Sequence, residues 1–258
     1  MRHFKKSLLL TALPSLTIFA SSAAAEDYVQ VSTGVDYSSG DYGDTVDTDF
    51  LAIPVSVKYQ KENFYLRAST SWVDVQGPAG FIPGDGGVTP GTPGGDVVSR
   101  SGMGDVNLTA GYSFYLGGAT FFDAVGKAKL PTASESKFLG TGSTDFTAQG
   151  ELLHSLGDVS IGAFGGRRFN GSSDLYELRD VWLGGAGVYY TKDKISLGLD
   201  YEWRQGSIAS SPDQSEATAS LTYKLSNALR LQGYTYTGFT DGSPDLGGGL
   251  QVLFRFGE

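Results

Sequence analysis

The sequence contains no cysteine and only two histidines, His3 and His154. Without cysteine the chain has no disulfides, no thiolate nucleophile and no thiolate metal ligand. His3 lies in the N-terminal export signal described below, and His154 lies in a predicted turn. A membrane lipid hydrolase needs a serine and a histidine within hydrogen-bond reach. The sequence therefore predicts no enzyme, no catalytic residues, no metal site and no cofactor.

Long apolar runs are also missing after the N-terminus. No stretch of about 18 apolar residues follows residue 25, which excludes ordinary transmembrane helices. The formal net charge is −9, and the first 25 residues contribute only positive charge. A chain this acidic is not expected to bind nucleic acid.

The first 25 residues have the pattern of a secretory signal peptide. Arg2, Lys5 and Lys6 form the positive region, residues 7–20 the apolar region, and three alanines at residues 23–25 the cleavage site. We therefore expect export from the cytoplasm and a mature domain over residues 26–258. The composition does not change along this part, which favours one domain.

The mature sequence alternates between apolar and polar residues in short runs. Period-two alternation predicts β-strands, and each run is close to the ~9–11 residues of a tilted membrane strand. Twelve runs are predicted, at residues 28–37, 48–60, 64–76, 104–116, 119–130, 145–153, 159–168, 181–191, 195–205, 215–225, 229–238 and 246–256.

Short and long connections alternate strictly between these runs. Outer-membrane barrels have short periplasmic turns and longer outside loops, so both termini are expected in the periplasm. The sequence thus predicts an all-β protein, a transmembrane antiparallel up-and-down β-barrel of about 12 strands in the outer membrane. A barrel of this size is too wide for an apolar packed core, so the polar face of each strand is expected to line the lumen.

Charged residues on the polar faces are candidates for the lumen lining. They could form a structural lattice of ion pairs or a selective lining for a permeating solute. Residues 77–103 are predicted as one long loop, either folded into the barrel mouth as a constriction or exposed outside. Eight lining candidates, most of them from the strands that carry the motifs described next, are Arg67, Asp105, Asp123, Lys127, Lys129, Asp145, Glu151 and Arg168.

Three short motifs resemble a known family. They are GMGDVNL at residues 102–108, KAKLPT at 127–132 and GTGSTD at 140–145. They are similar to motifs of the outer-membrane channel family named for the meta-pathway of phenol degradation. The resemblance implies a transporter-like barrel of Gram-negative outer membranes, sometimes associated with aromatic or hydrophobic compounds. It does not identify the solute.

The sequence leaves two functions open. The first is a monomeric channel that passes a small solute by facilitated diffusion. The second is a sealed barrel that acts as a surface structural or interaction protein through its outside loops. In both cases the expected partners are outer-membrane lipid and lipopolysaccharide, together with the barrel-assembly machinery, which would recognise Phe254 and Phe256 in the last strand.

Overall fold

The computed structural model describes residues 27–82 and 95–257. The predicted signal peptide lies outside the described residues. The strands are β1 (Tyr28–Gly40), β2 (Thr48–Lys61), β3 (Phe64–Pro78), β4 (Val97–Met103), β5 (Val106–Gly117), β6 (Thr120–Leu130), β7 (Asp145–Leu156), β8 (Val159–Phe169), β9 (Val181–Lys192), β10 (Ile195–Arg204), β11 (Gln214–Lys224), β12 (Leu229–Gly238) and β13 (Leu246–Phe256).

These strands form one antiparallel sheet that closes on itself. Each strand pairs with its neighbours in the chain, and β1 pairs with β13 from Val29 opposite Phe256 to Ser39 opposite Leu246. The thirteen segments fill twelve positions around the barrel, because β4 and β5 both pair with β3, one after the other. The predicted twelve-stranded barrel is confirmed. The described residues contain no helix long and apolar enough to cross a membrane.

The predicted boundaries of the long loop at residues 77–103 are wrong. Gly77 and Pro78 belong to β3, and Val97–Met103 forms β4, which pairs with the end of β3 from Trp72 opposite Met103. The strand predicted at 104–116 corresponds to β5, which begins two residues later, and Gly104 and Asp105 form a break between β4 and β5. The break stays bonded to β3, because the Gly104 amide donates to the Ser71 carbonyl at 2.8 Å.

The predicted turn around His154 is also wrong. β7 continues to Leu156, and the turn is only Gly157 and Asp158. His154 lies within the strand, where its Nδ1 and the Thr120 hydroxyl oxygen are 2.8 Å apart. The other connections divide as expected, with two- to four-residue turns at one end of the barrel and longer loops at the other. We call these the turn end and the loop end.

The two faces of the sheet differ as the alternation predicts. Large apolar side chains lie on the outside, where Leu199 is 60% exposed and Leu250 is 67% exposed. Polar side chains such as Gln149, Glu151 and Gln251 are buried inside. Because a water-soluble protein hides its apolar face, this arrangement fits a barrel whose outside contacts hydrocarbon.

Tyrosine rings narrow the lumen by lying over glycines. A Cβ added at Gly111 would collide with the ring of Tyr65, one at Gly247 with Tyr236, and one at Gly249 with the Tyr234 hydroxyl. Each glycine therefore leaves room for a flat ring against the wall. In β1, Asp36 accepts hydrogen bonds from the Tyr234 and Tyr236 hydroxyls at 2.8 and 2.9 Å. The tyrosines are thus fixed in place as part of the lumen lining.

Candidate functional site

A cavity of about 350 Å³ occupies the loop-end half of the lumen. Its size is at the small end of the range for pockets that hold small molecules, about 300–1,000 Å³. Eleven strands and two inward-folded segments contribute to it. This cavity is the candidate functional site.

The three sequence motifs meet at one side of the cavity. Lys129 at the end of β6 lies 2.8 Å from an Asp145 carboxylate oxygen and 3.7 Å from an Asp105 carboxylate oxygen. Its ammonium group also donates to the Thr141 hydroxyl at 2.8 Å. Lys129, from the second motif, thus contacts residues of the first and third motifs, and we call Asp105, Lys129, Thr141, Ser143 and Asp145 the motif cluster.

The motif cluster holds the loop between β6 and β7 inside the barrel mouth. Asp105 accepts a hydrogen bond from the Ala133 amide at 2.9 Å, and Asp145 accepts one from Ser143 at 2.7 Å. Thr141 and Ser143 are each only 1% exposed. A loop at a strand end is normally on the surface, so these bonds replace the solvation that the loop loses.

The glycines of the third motif have a steric role here. A Cβ at Gly140 would come 2.8 Å from the Cβ of Ala133 and 3.0 Å from an Asp105 oxygen. Gly142 has φ +70°, which side chains rarely adopt, and a Cβ there would collide with Glu135. The motif therefore encodes the packing of an inward loop.

A second inward segment closes the cavity at the loop end. Residues 79–82, which we call the Phe81 turn, follow β3 and place Phe81 and Ile82 at 2% and 1% exposure. Phe81 packs with Ala52, Val73 and Leu139, and its ring centroid lies 4.6 Å from that of Tyr42. Of the two forms predicted for this loop, its first residues take the inward one.

Two side chains fix the Phe81 turn through its carbonyls. Arg100 from β4 donates to the Phe81 carbonyl at 2.5 Å, and Tyr176 from the loop after β8 donates to the Gly80 carbonyl at 3.1 Å. Arg100 is 8% exposed and Tyr176 is 7% exposed. Ile82 packs against Tyr176 with Phe138, Leu178 and Ile208 around them. The closure is therefore a packed structure and not a loose loop.

The eight predicted lining residues fall into two groups. Five of them, Asp105, Lys127, Lys129, Asp145 and Arg168, line the cavity. The cavity lining does not include the other three, Arg67, Asp123 and Glu151, which come from the middle and turn-end half of the lumen.

The structure brings together some of these residues and separates others. Asp105, Lys129 and Asp145 form the motif cluster. Lys127 interacts electrostatically with Glu151 on the next strand and with Glu202 on β10. Arg168 instead donates to the Ser207 hydroxyl in the loop after β10. Asp123 lies directly opposite Glu151, which is 2% exposed.

Sequence reasoning missed the apolar part of the site. Phe50, Val73, Phe81 and Leu139 line the cavity, although the lumen was expected to be polar. A signal existed in β3, where Val73 and Val75 lie on the same face as Arg67 while Trp72 lies on the other. An apolar residue on both faces indicates that the polar lining ends there.

The turn-end half of the lumen is filled by side chains. Val125 is 4% exposed, Leu153 is 2% and Leu253 is 1%, and Arg230 beside them is 2% exposed. Tyr65 at 7% exposure completes this layer. A solute in the cavity therefore meets packed side chains in the direction of the turns.

Solved structures share the fold. The KdgM porin has a TM-score of 0.54 with 11% identity, covering 87% of this chain and 99% of its own. The translocator domain of the autotransporter NalP from Neisseria meningitidis has a TM-score of 0.54 with 12% identity, covering 90% of this chain and 89% of its own. Identities this low show a common barrel architecture. No curated protein sequence matches the chain.

A family model covers nearly the whole chain. The family described as "Putative MetA-pathway of phenol degradation" matches residues 21–256. The match includes all three motifs, whose residues form the motif cluster in the structure. The resemblance seen in the sequence is therefore confirmed. The chain belongs to this family of outer-membrane-type β-barrels.

Proposed function

We propose that this protein is a monomeric outer-membrane channel that passes a small solute by facilitated diffusion, with no covalent chemistry and no cofactor. The observation that carries the proposal is a closed barrel with an apolar outside and a charged lumen that contains a cavity of about 350 Å³. A polar lumen lowers the cost of moving a solute across hydrocarbon. The porin among the structures of the same fold supports this assignment.

The proposal includes a location and an orientation. Residues 1–25 act as the export signal, and the mature barrel over residues 26–258 stands in the outer membrane with its turn end toward the periplasm. Lipid and lipopolysaccharide contact the apolar outside. Phe254 and Phe256, 45% and 56% exposed on β13 with ring centroids 6.1 Å apart, form the contact for the barrel-assembly machinery.

Eight charged residues serve as the solute-facing lining in this proposal. The five that line the cavity make the first contact with a solute, and Arg67, Asp123 and Glu151 come next in the direction of the turns. An aromatic or other hydrophobic solute would use the apolar residues of the cavity as well. The name of the family, which refers to phenol degradation, supports a solute of this kind.

A second function is favoured by the closures at both ends. The Phe81 turn covers the cavity at the loop end, and Leu153, Leu253 and Arg230 fill the turn-end half. A barrel sealed in this way would serve as a surface structural or interaction protein. The channel function therefore requires at least the Phe81 turn to move.

Planar-bilayer recordings separate the two functions. The double variant Phe81→Ala/Ile82→Ala removes the apolar side chains of the turn, and we expect a higher open fraction and a larger conductance than in the unaltered protein. Leu175→Ala is the matched control, because Leu175 lies in a loop at the same end but is 39% exposed. If the double variant is folded and as silent as the control, the channel proposal fails and the sealed barrel stands.

A further inference from the structure

The cavity has two chemically different walls. One is apolar and aromatic, made by Tyr42, Phe50, Val73, Phe81 and Leu139. Pockets that bind small molecules combine such a surface with a few polar groups that fix orientation. The apolar wall therefore fits the body of a solute, and the opposite wall decides which polar group the solute carries.

The opposite wall is acidic. Glu202 and Glu216 from β10 and β11 form this wall, and Asp36 from β1, which pairs with β2, adds a third carboxylate to the cavity lining. Glu202 and Glu216 are direct neighbours across the pairing of β10 with β11. Directly opposite residues have Cβ atoms about 4.5–5.5 Å apart, and two like charges at this distance destabilise each other. Arg204 interacts electrostatically with both carboxylates and offsets part of this repulsion, and an additional positive group between them would offset the rest.

The cations of the cavity already have partners. Lys129 lies within 4 Å of both Asp105 and Asp145. Lys127 interacts electrostatically with Glu151 and Glu202. Arg204 donates to the Gln214 side chain and interacts electrostatically with Glu202 and Glu216. One carboxylate oxygen of Glu202, Oε2, is buried and has no hydrogen-bond partner among the residues that the structure describes. Glu202 therefore keeps an acceptor for a solute.

Tyr42 lies in the same negatively charged environment at the loop end. Its pKa is raised by burial first of all, and the carboxylates of Glu216, Asp245 and Asp36 raise it further. Tyr42 and Tyr236 also place aromatic rings in the lining, and such rings attract cations through their faces. The carboxylates and the aromatic rings of the cavity lining thus both favour a positively charged group.

We propose that the cavity is a binding site for a small organic cation, with its apolar body against Phe81, Phe50 and Leu139 and its ammonium group at Glu202 and Glu216. The inference rests on the proposed channel function, because it names the class of solute that the channel would take. The ammonium donates to Glu202 Oε2, and the body replaces water at the apolar wall.

Calorimetric titration of the detergent-solubilised barrel tests the proposal with three probes of similar size. The probes are phenethylamine, 2-phenylethanol and 3-phenylpropionate, which carry a cation, a neutral hydroxyl and an anion on the same ring and chain. We expect saturable binding of phenethylamine at pH 7, about tenfold or more tighter than 2-phenylethanol, because a charge-assisted hydrogen bond is stronger than a neutral one. The anion should bind most weakly.

Two variants locate the site. Glu202→Gln should weaken phenethylamine about tenfold and leave 2-phenylethanol nearly unchanged, because it removes the charge and keeps the shape. Glu177→Gln is the matched control, since it makes the same chemical change on an exposed residue at the loop end, outside the cavity lining. If Glu202→Gln does not fold, Phe81→Ala tests the apolar wall and should weaken phenethylamine and 2-phenylethanol by a similar factor.

The outcomes separate this inference from the channel function. Equal binding of the amine and the alcohol, an unchanged affinity in Glu202→Gln or no saturable binding would each overturn the cation site, whatever the bilayer recordings show. Cation binding by a barrel whose Phe81→Ala/Ile82→Ala variant stays silent would keep the site and overturn the channel.

Discussion

Lys129 connects all three motifs, so its removal tests whether the motif cluster stabilises the barrel. In Lys129→Met the side chain keeps a similar length but loses its charge. Asp145, which is 2% exposed on its side chain, then loses a partner 2.8 Å away. Breaking a buried ion pair by removing one member costs about 3–5 kcal/mol.

Two features of the structure reduce this figure. The Lys129 side chain is 15% exposed, so water reaches part of it. Asp145 also keeps hydrogen bonds from Ser143 at 2.7 Å and from the Gly171 amide at 3.1 Å. Since each remaining bond contributes about 1 kcal/mol or somewhat more to a charged acceptor, we expect a loss of about 2–4 kcal/mol.

Urea unfolding of the barrel in phospholipid vesicles measures this loss. The three tryptophans give the fluorescence signal, and the unfolding midpoint and slope give the free energy of unfolding. Lys129→Met combined with Asp145→Asn should cost less than the sum of the single changes, because the second change removes the uncompensated charge.

Asp180→Asn provides the control for an exposed ion pair. Arg167 and Asp180 lie 3.0 Å apart, but their side chains are 42% and 35% exposed. Pairs of this kind contribute about 0–1 kcal/mol, so the control should lose little. If Lys129→Met loses no more than Asp180→Asn, the motif cluster is not what holds the inward loop.

Three more predictions follow from the packing and the membrane setting. Gly249→Ala should lower the free energy of unfolding in urea by about 1–3 kcal/mol, because the added Cβ collides with the Val35 carbonyl and the Tyr234 hydroxyl. Its control is Gly126→Ala, where the added Cβ has no atom within 4 Å, and the free energy of unfolding should change by less than about 0.5 kcal/mol. Leu199→Lys puts a charge on the 60% exposed outer face and should cost about 2–4 kcal/mol in vesicles if that face meets hydrocarbon, an effect that must vanish if it meets water. The raised pKa of Tyr42 means that the folded state prefers the neutral phenol, so stability should be constant below about pH 10, fall above it, and fall less in Tyr42→Phe.

The barrel could be predicted from the sequence because its two environments, hydrocarbon and the lumen, impose a simple alternation of residue types. Hydrocarbon outside and a polar lumen inside require apolar and polar residues to alternate along every strand. This alternation identifies the twelve runs, including the last strand, Leu246–Phe256. The eight lining candidates also follow from this parity. Their partners do not, because parity does not set which residues of two strands lie opposite each other.

The segments that shape the site could not be read in this way. The sequence predicts a loop where β4 lies, because Val97–Met103 pairs only with the end of β3, across a long connection. The loop between β6 and β7 turns inward because Asp105 binds the Ala133 amide and Lys129 binds Thr141. Such contacts connect residues across several strands, so a local pattern carries little information about them. The three motifs identified the residues of the motif cluster, but the sequence does not show that these residues contact one another.

The Phe81 turn sets a free-energy cost on opening, and this cost bears on what the barrel can pass. Exposing the buried Phe81 and Ile82 side chains costs about 3–6 kcal/mol, and losing the bonds from Arg100 and Tyr176 adds about 1–3 kcal/mol. Every 1.4 kcal/mol is a factor of about ten, so an open mouth is populated at well under about 1% in the absence of solute.

A solute with an apolar body changes this balance. While the Phe81 turn is open, such a body contacts Phe50, Val73 and Leu139 and offsets part of the lost packing, so opening costs less with the solute than without it. Once the turn closes again, Phe81 packs against the body. An inorganic ion makes no such contact and gains nothing from the apolar wall. The same turn that closes the barrel to ions therefore opens at a lower free-energy cost for a solute with an apolar body.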